Sequence, residues 1–375
     1  MNGVRRVGHL TTVDSSLRYL LEAQLVGAMD AGYEVVGISA PGDDVTYLEA
    51  LGVRHVALAG STRSFSLMSD LRAVVAFARL IRSLDLDVLH THNPKPGLYG
   101  RIIGRLLGVP RVVNTVHGLY ATPEDAMFKR AVVYGAEAVA SRFSHRELIQ
   151  NEEDFALLAK KRISPRRKLV LLGNGVDTER FSPGRDAAST KLRESIGADD
   201  STVVIGIIAR LVEEKGFREL FEAAGDLPDG VVVVAIGPED AERHDALSRD
   251  EIDRARSSGI RFVGHQADTA PWYRAMDVFA LPSYREGVPR GAMEAAATAL
   301  PIVTTDVRGC RQVVRDGDNG LLVPARDPGA LAAALNKLCD DADLRRTMGA
   351  AGRRRALAEF DERDVVRRVL ESYGA

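Results

Sequence analysis

Cysteine is nearly missing from this chain: Cys310 and Cys339 are the two in 375 residues. Neither belongs to a Cys-x-x-Cys pair or a His/Cys cluster, which argues against structural zinc and fits a reducing cytoplasm. No run of about 18 apolar residues occurs, so no spanning helix is expected, and the opening MNGVRRVGHLTTVDSSLRYLLEAQ turns polar too soon for a secretion signal. Several fingerprints are also missing. LTTVDSSLRY follows the first apolar run without a G-x-G-x-x-G, and neither G-x-x-x-x-G-K-[ST] nor G-x-S-x-G is found. Nicotinamide dehydrogenases, P-loop kinases and hydrolases with a nucleophile elbow lose ground, and the absence of short repeats excludes a solenoid.

What is present points to a large globular protein. With 45% hydrophobic and 27% charged residues the chain can bury a sizeable core, and its length suits two domains. The formal charge of -2 conceals an asymmetry: residues 1–180 hold 23 Lys and Arg against 19 Asp and Glu, the remainder 27 against 33. The basic first half includes KKRISPRRK, Lys160 to Lys168, and the residues Arg79, Arg82, Arg101 and Arg105. These suit either a plain solvated surface or proximity to anionic lipid and phosphate-bearing substrates. Near-neutral charge and the lack of a recognition motif argue against nucleic acid.

Short apolar runs alternate with helical patterns throughout. VGHLTTV, YEVVGISA, VRHVALA, DVLHTHN and RVVNTVHG read as buried strands, with amphipathic helices in LRYLLEAQLVGAMDAG and SDLRAVVAFARLIRSL between them. The second half repeats the grammar: TVVIGIIARL, GVVVVAIGP, IRFVGH, VFALPS, PIVTTD and GLLVP as strands, with helices near Phe217–Ala224, Ala241–Ser257 and Gly291–Ala299. Strand, helix, strand in succession means parallel sheets. The expected fold is α/β: two facing doubly wound, Rossmann-like domains over 1–180 and 181–355, with a closing helix over 356–375 crossing back to the first. Residues 173–190, rich in Gly, Pro, Asp and Ser, read as the linker. Such sheets bind ligands beyond the carboxyl ends of their strands, so the cleft between domains is the expected site.

The strand-end loops carry the candidates. RLVEEKGF places Arg210 and Lys215 before a helix start, where two cations and free N–H groups suit a diphosphate. In SYREGVPRGAMEAA, Glu286 precedes a helix expected to begin near Val288 or Pro289, and Glu294 lies in its first turns. Two carboxylates beside a bare helix start suit a hydroxyl-rich ligand such as a nucleotide sugar, although a helix-capping acid plus a surface Glu gives the same pattern. His117 ends a strand in NTVHGLY and could donate to a substrate oxygen, move a proton or complete a local network. His90, His92 and Asn93 end another; the HTH pair lacks the carboxylate or cysteine partners of a metal site.

Together these features resemble the family-four glycosyltransferases, retaining enzymes with two Rossmann-like domains (the GT-B type). EGVPRGAME is similar to that family's E-x7-E motif and ARLVEEKG to its diphosphate loop; PSYREG, NGVDTERF and DGDNGLLVPARD also match, so the likeness covers nearly the whole chain. TVDSSLRYLL, LHTHNPKPGLYGRIIGRLLGVPRVVNTVHGLY, QNEEDF and DVRGCRQVV most resemble bacterial transferases of capsule and surface-polysaccharide assembly, which glycosylate a lipid-linked acceptor at the cytoplasmic membrane face. The resemblance implies that Arg210 and Lys215 bind the donor diphosphate, Glu294 the ribose, and Glu286 a hydroxyl of the transferred sugar with the N–H groups of Gly287 and Val288. Gly237 and Val263 would complete the donor side, and His117 would touch the sugar from the other domain. It implies a UDP-sugar donor of hexose or N-acetylhexosamine, retention of anomeric configuration, no metal or other cofactor, and a cytoplasmic enzyme peripheral to the membrane.

Three departures mark this chain. Thr11-Thr12-Val13-Asp14-Ser15-Ser16 stands where many relatives have a Gly-Gly pair, Gly237-Pro238-Glu239-Asp240 replaces a G-x-G, and Gln312 replaces a Glu. Rival readings are a transferase with a soluble small-molecule acceptor, a UDP-sugar epimerase and a two-lobed sugar-binding protein.

Overall fold

The computed structural model describes residues 5–61, 67–92, 94–123, 125–239 and 245–374. The chain divides into two compact units, Met1–Gly173 with Arg363–Ala375, and Asn174–Glu362.

Unit 1 is built on seven strands: β1 Arg6–Val13, β2 Glu34–Ala40, β3 Arg54–Ala57, β4 Val88–His92, β5 Arg111–Val116, β6 Arg146–Ile149 and β7 Leu169–Leu171. They pair in parallel in the order β3-β2-β1-β4-β5-β6-β7. Successive side chains of a strand point to opposite faces. Val7, Val88, Val113 and Leu148 therefore share one face, covered by Leu17 and Leu21 of the helix Asp14–Asp30 and by Val365 and Val369 of the helix Glu362–Tyr373. Leu10, Leu89 and Val112 occupy the other face under Phe77 and Ile81 of the helix Leu67–Leu84. The returning C-terminal helix is pinned at its middle and its end: Arg368 donates to the Leu172 carbonyl at 2.9 Å and Arg111 to the Ser372 carbonyl at 2.8 Å.

Unit 2 has six parallel strands, β8 Val203–Ile208, β9 Val231–Ile236, β10 Arg261–Gly264, β11 Val278–Leu281, β12 Ile302–Thr305 and β13 Gly320–Val323, in the order β10-β9-β8-β11-β12-β13. One continuous apolar cluster runs through it. In each sheet the order reverses beside the first strand, between β1 and β4 and between β8 and β11, and such switch points are where open α/β sheets hold ligands.

Several sequence expectations are corrected. Residues 173–190 are not a free linker: Phe181 is 2% exposed in the unit 2 core, Val176 donates to the Phe360 carbonyl, and Arg353 donates to the carbonyls of Thr178 and Phe181. One arginine satisfies backbone groups that a Gly/Pro-rich segment cannot pair regularly. The unit boundary therefore falls at 173/174 rather than 180/181, and residues 356–359 end the helix Ala342–Glu359 of unit 2. The helix expected over 241–257 is described only from Arg249 to Ser257, and residues 241–244 lie outside the described residues, as do Asn93 and Asp240. Arg101 is no surface cation. It is 0% exposed and donates to Glu147 at 2.9 Å and Glu137 at 2.8 Å.

Candidate functional site

In unit 2 the loops after β8 and β11 are locked together by glycine. Gly216 adopts φ 73, ends the short turn Glu213–Lys215, and a Cβ there would lie 2.0 Å from the Pro282 carbonyl oxygen. Only glycine supplies both the left-handed backbone and the close approach. The Tyr284 N–H donates to the Glu214 carbonyl at 2.9 Å. With the loops thus fixed, Lys215 Nζ donates to Glu286 Oε1 at 2.7 Å, their side chains 19% and 10% exposed. This ion pair spans the switch point between β8 and β11.

The helix Arg290–Ala297 starts one residue later than expected, behind Pro289. Glu294 lies in its second turn and is 9% exposed, so it is buried rather than a surface acid. Its Oε2 accepts from Tyr273 at 2.9 Å and its Oε1 from Arg290 at 2.9 Å. Burial and the neighbouring carboxylate push the Tyr273 hydroxyl well above its ordinary pKa, which keeps it a donor. Gly287 sits against Gly309, where a Cβ would meet the Gly287 oxygen at 2.3 Å. Gly237, at φ 151, lies so close to Ala209 that a Cβ would meet its carbonyl oxygen at 1.8 Å, which holds the end of β9 beside the loop that carries Arg210. Val263 lies on the edge strand β10, its carbonyl accepting from Gln266 at 2.8 Å. The structure thus brings Arg210, Lys215, Gly237, Val263, Glu286, Gly287, Val288 and Glu294 to the ends of the adjacent strands β10, β9, β8 and β11.

In unit 1 the polar groups sit inside the sheet. On the face that begins with Val7, Val88, Val113 and Leu148, alternation places His9, His90, His92, Thr115, His117 and Gln150 toward the strand ends, and Tyr373 packs against His9 and His90. Starting from His117, Nδ1 lies 3.1 Å from Gln150 Oε1, and Nε2 lies 3.2 Å from His92 Nδ1. His92 Nε2 then lies 3.2 Å from His9 Nδ1, and His9 Nε2 lies 3.2 Å from the Tyr373 hydroxyl. Tyr373 meets His90 Nδ1 at 2.8 Å, and His90 Nε2 meets Thr115 Oγ1 at 2.7 Å. Burial pushes His9 down to about 3 and His117 down to about 4, and holds His90 and His92 well below 6.5, so all four rings are neutral at pH 7. His9, His90 and His92 bring one nitrogen each within 4.8 Å of the others. All six of their nitrogens face a hydrogen-bond partner, however, and among the described residues no carboxylate or cysteine joins that group.

Tyr273, Arg290, His9, Gln150 and Tyr373 were not foreseen from the sequence. The alternation of LHTHN already placed His90 and His92 on one face; nothing local linked them to Tyr373, 283 residues beyond His90.

Two family models match, one in each unit: Glycosyl transferase 4-like over residues 11–146, within unit 1, and Glycosyl transferases group 1 over residues 202–341, within unit 2. Capsular polysaccharide biosynthesis glycosyltransferase CapM of Staphylococcus aureus is 27% identical over 98% of this chain and 96% of its own. The UDP-Gal:alpha-D-GlcNAc-diphosphoundecaprenol alpha-1,3-galactosyltransferase of Escherichia coli is 29% identical over 74% of this chain and 73% of its own. The chain belongs to the family-four-type glycosyltransferases. Its fold agrees with that of Anabaena HepE in complex with UDP, at TM-score 0.81 and 18% identity over 99% of this chain and 100% of the other. As in that GT-B fold, the transferase has two Rossmann-like units, and among its described residues no helix is long and apolar enough to cross a membrane.

Proposed function

We propose that this glycosyltransferase moves a hexose or N-acetylhexosamine, with retention, from a UDP-sugar to a lipid-linked acceptor in surface-polysaccharide assembly. The observation that carries the reading is the Lys215–Glu286 pair across the β8/β11 switch point. An ammonium has three donors, and one faces Glu286. Lys215 can therefore hold the carboxylate and still turn donors, together with Arg210, toward a diphosphate whose leaving charge it offsets. Glu286 is aimed at a sugar hydroxyl, with the N–H groups of Gly287 and Val288 beside it at the positive end of the helix Arg290–Ala297. Glu294, oriented by Tyr273 and Arg290, accepts from the ribose, with Gly237 and Val263 shaping the nucleotide side. His117 contacts the transferred sugar. The two cations take the charge role a metal would fill, so no metal or other cofactor is needed.

The relatives that act on an undecaprenol-linked substrate or build capsule support the acceptor class. Peripheral membrane contact is supported by the helix Met127–Ala140, which exposes Met127 (76%), Phe128 (81%), Val132 and Val139 beside Lys129 and Arg130.

The test is nucleotide release from a panel of UDP- and GDP-sugars, with and without a bacterial membrane lipid extract. Release of UDP that depends on the extract is expected. Isomerisation of the donor without release, or full activity on a water-soluble acceptor alone, overturns the proposal.

A further inference from the structure

Between Gln150 and Thr115 each ring nitrogen of the four histidines faces a neighbour in the chain, and each neutral imidazole has one donor and one acceptor nitrogen. These two facts leave only two complete proton arrangements, one the reverse of the other. The Gln150 carbonyl oxygen faces His117, and an oxygen of that kind can only accept. His117 must then donate from Nδ1, and Nε2 must accept from His92. The same logic passes inward: His92 and His9 donate from Nδ1, Tyr373 donates to His9 and accepts from His90, and Thr115 donates to His90. Reversing one ring alone would set two lone pairs, or two N–H groups, against each other in the core.

We propose that His117 serves the reaction as a neutral hydrogen-bond donor through Nδ1–H, not as a base, and that Tyr373 is a positioning residue that holds it so through His9 and His92. The inference rests on the reading that His117 touches the transferred sugar. Its basic nitrogen faces inward and is occupied by His92, so it has no lone pair to offer a substrate hydroxyl. Its outward-acting group is the N–H now given to Gln150, which a sugar oxygen can take over by replacing the amide carbonyl. Tyr373 enters because it is the one link of the chain that comes from the helix Glu362–Tyr373 rather than from the sheet, and it joins the rings of β1 and β4.

The full-length protein labelled with 15N-histidine reports ring tautomers directly in long-range 1H–15N correlation spectra. His9, His90, His92 and His117 are expected as neutral Nδ1–H tautomers at pH 7. An Nε2–H tautomer at His117, or a stoichiometric metal bound at His9, His90 and His92 in the purified protein, overturns the proposal. Tyr373→Phe should shift the ring signals of His9 and His90, which lose their shared hydroxyl, and lower kcat about tenfold, with KM for the donor changed less than twofold. Wild-type ring signals and wild-type kcat in folded Tyr373→Phe would refute the positioning role. Should that variant not fold, Thr115→Val cuts the chain at its end and is read by the same signals at His90. His117→Ala with full activity would instead sink the sugar-contact reading and leave the tautomer result standing.

Discussion

Within β8–β13 the buried polar side chains are Thr304 and Thr305, and the charged candidates Lys215, Glu286 and Glu294 lie past the strand ends. Within β1–β7 the strands themselves bury His9, Thr11, Thr12, Ser39, His90, Thr91, His92, Asn114, Thr115 and Glu147. Both sheets are parallel and covered on both faces. Unit 2 keeps its strands nearly apolar and places its candidate site on loops that glycines hold together. Unit 1 threads polarity through the sheet and makes it tolerable by pairing every ring with a neighbour, because an unsatisfied buried group costs roughly 1–3 kcal/mol. A parallel sheet accommodates such groups where strand register sets them side by side, as His9 with His90 and His92 with Thr115.

Acid should separate the units most sharply. The four buried histidines have pKa values lowered in the folded state, so they are neutral when folded and take up protons on unfolding below about 6.5. Their contribution to stability is complete above that pH and falls as pH drops toward the folded values. With four protons gained on unfolding the slope reaches about 5 kcal/mol per pH unit. Amide exchange between pH 7 and 5 should show protection collapsing in β1, β4 and β5 while β8 and β11 hold; equal loss in both units would remove the contrast.

The next largest effect lies on unit 2. On the proposed function Lys215→Ala should lower kcat/KM about a thousandfold, roughly 4 kcal/mol, because the cation proposed to offset developing phosphate charge is lost and Glu286 loses its ion-pair partner. Unchanged turnover would dissolve the proposed site. Glu294 needs a gentler change than its sequence position suggested: Glu294→Ala would also strand the buried Tyr273 hydroxyl, whereas Glu294→Gln keeps an acceptor there and should cut turnover with little change in melting temperature. Gly216→Ala tests whether glycine holds the loops, and should cost roughly 2–4 kcal/mol through the left-handed backbone and the Pro282 carbonyl; a thermal melt of unit 2 within a degree of wild type would refute this. The smallest change belongs to the surface of unit 1. Met127→Ser with Phe128→Ser should weaken binding to vesicles containing phosphatidylglycerol about three- to tenfold and leave folding untouched, as sedimentation with vesicles would show.

How legible each unit was follows from the same contrast. The dry strands VVIGII and VVVVAI announce themselves by composition, and the loops after them carry residue types with one obvious use, so Lys215 and Glu286 could be named before their contact was visible. The strands of unit 1 were found where valine and isoleucine dominate and missed where they are short: RELI and LVL, β6 and β7, offer little pattern in three or four residues. Arg101 was misplaced because a lone arginine on an amphipathic helix reads as surface, and only Glu137 and Glu147, far along the chain, draw it inside. Tyr373 was invisible for the same reason of distance.

Unit 1 is discontinuous, and its last helix, Glu362–Tyr373, follows unit 2 in the sequence. During synthesis the residues of unit 2 emerge before the helix Glu362–Tyr373, so unit 2 can complete its sheet while unit 1 still lacks Val365, Val369 and Tyr373 from one face. The nascent chain therefore holds that face open, with the ring nitrogens of His9 and His90 without their shared hydroxyl, until that helix has emerged. A ribosome stalled before Arg363 has emerged would leave the second half native and the first half unfinished.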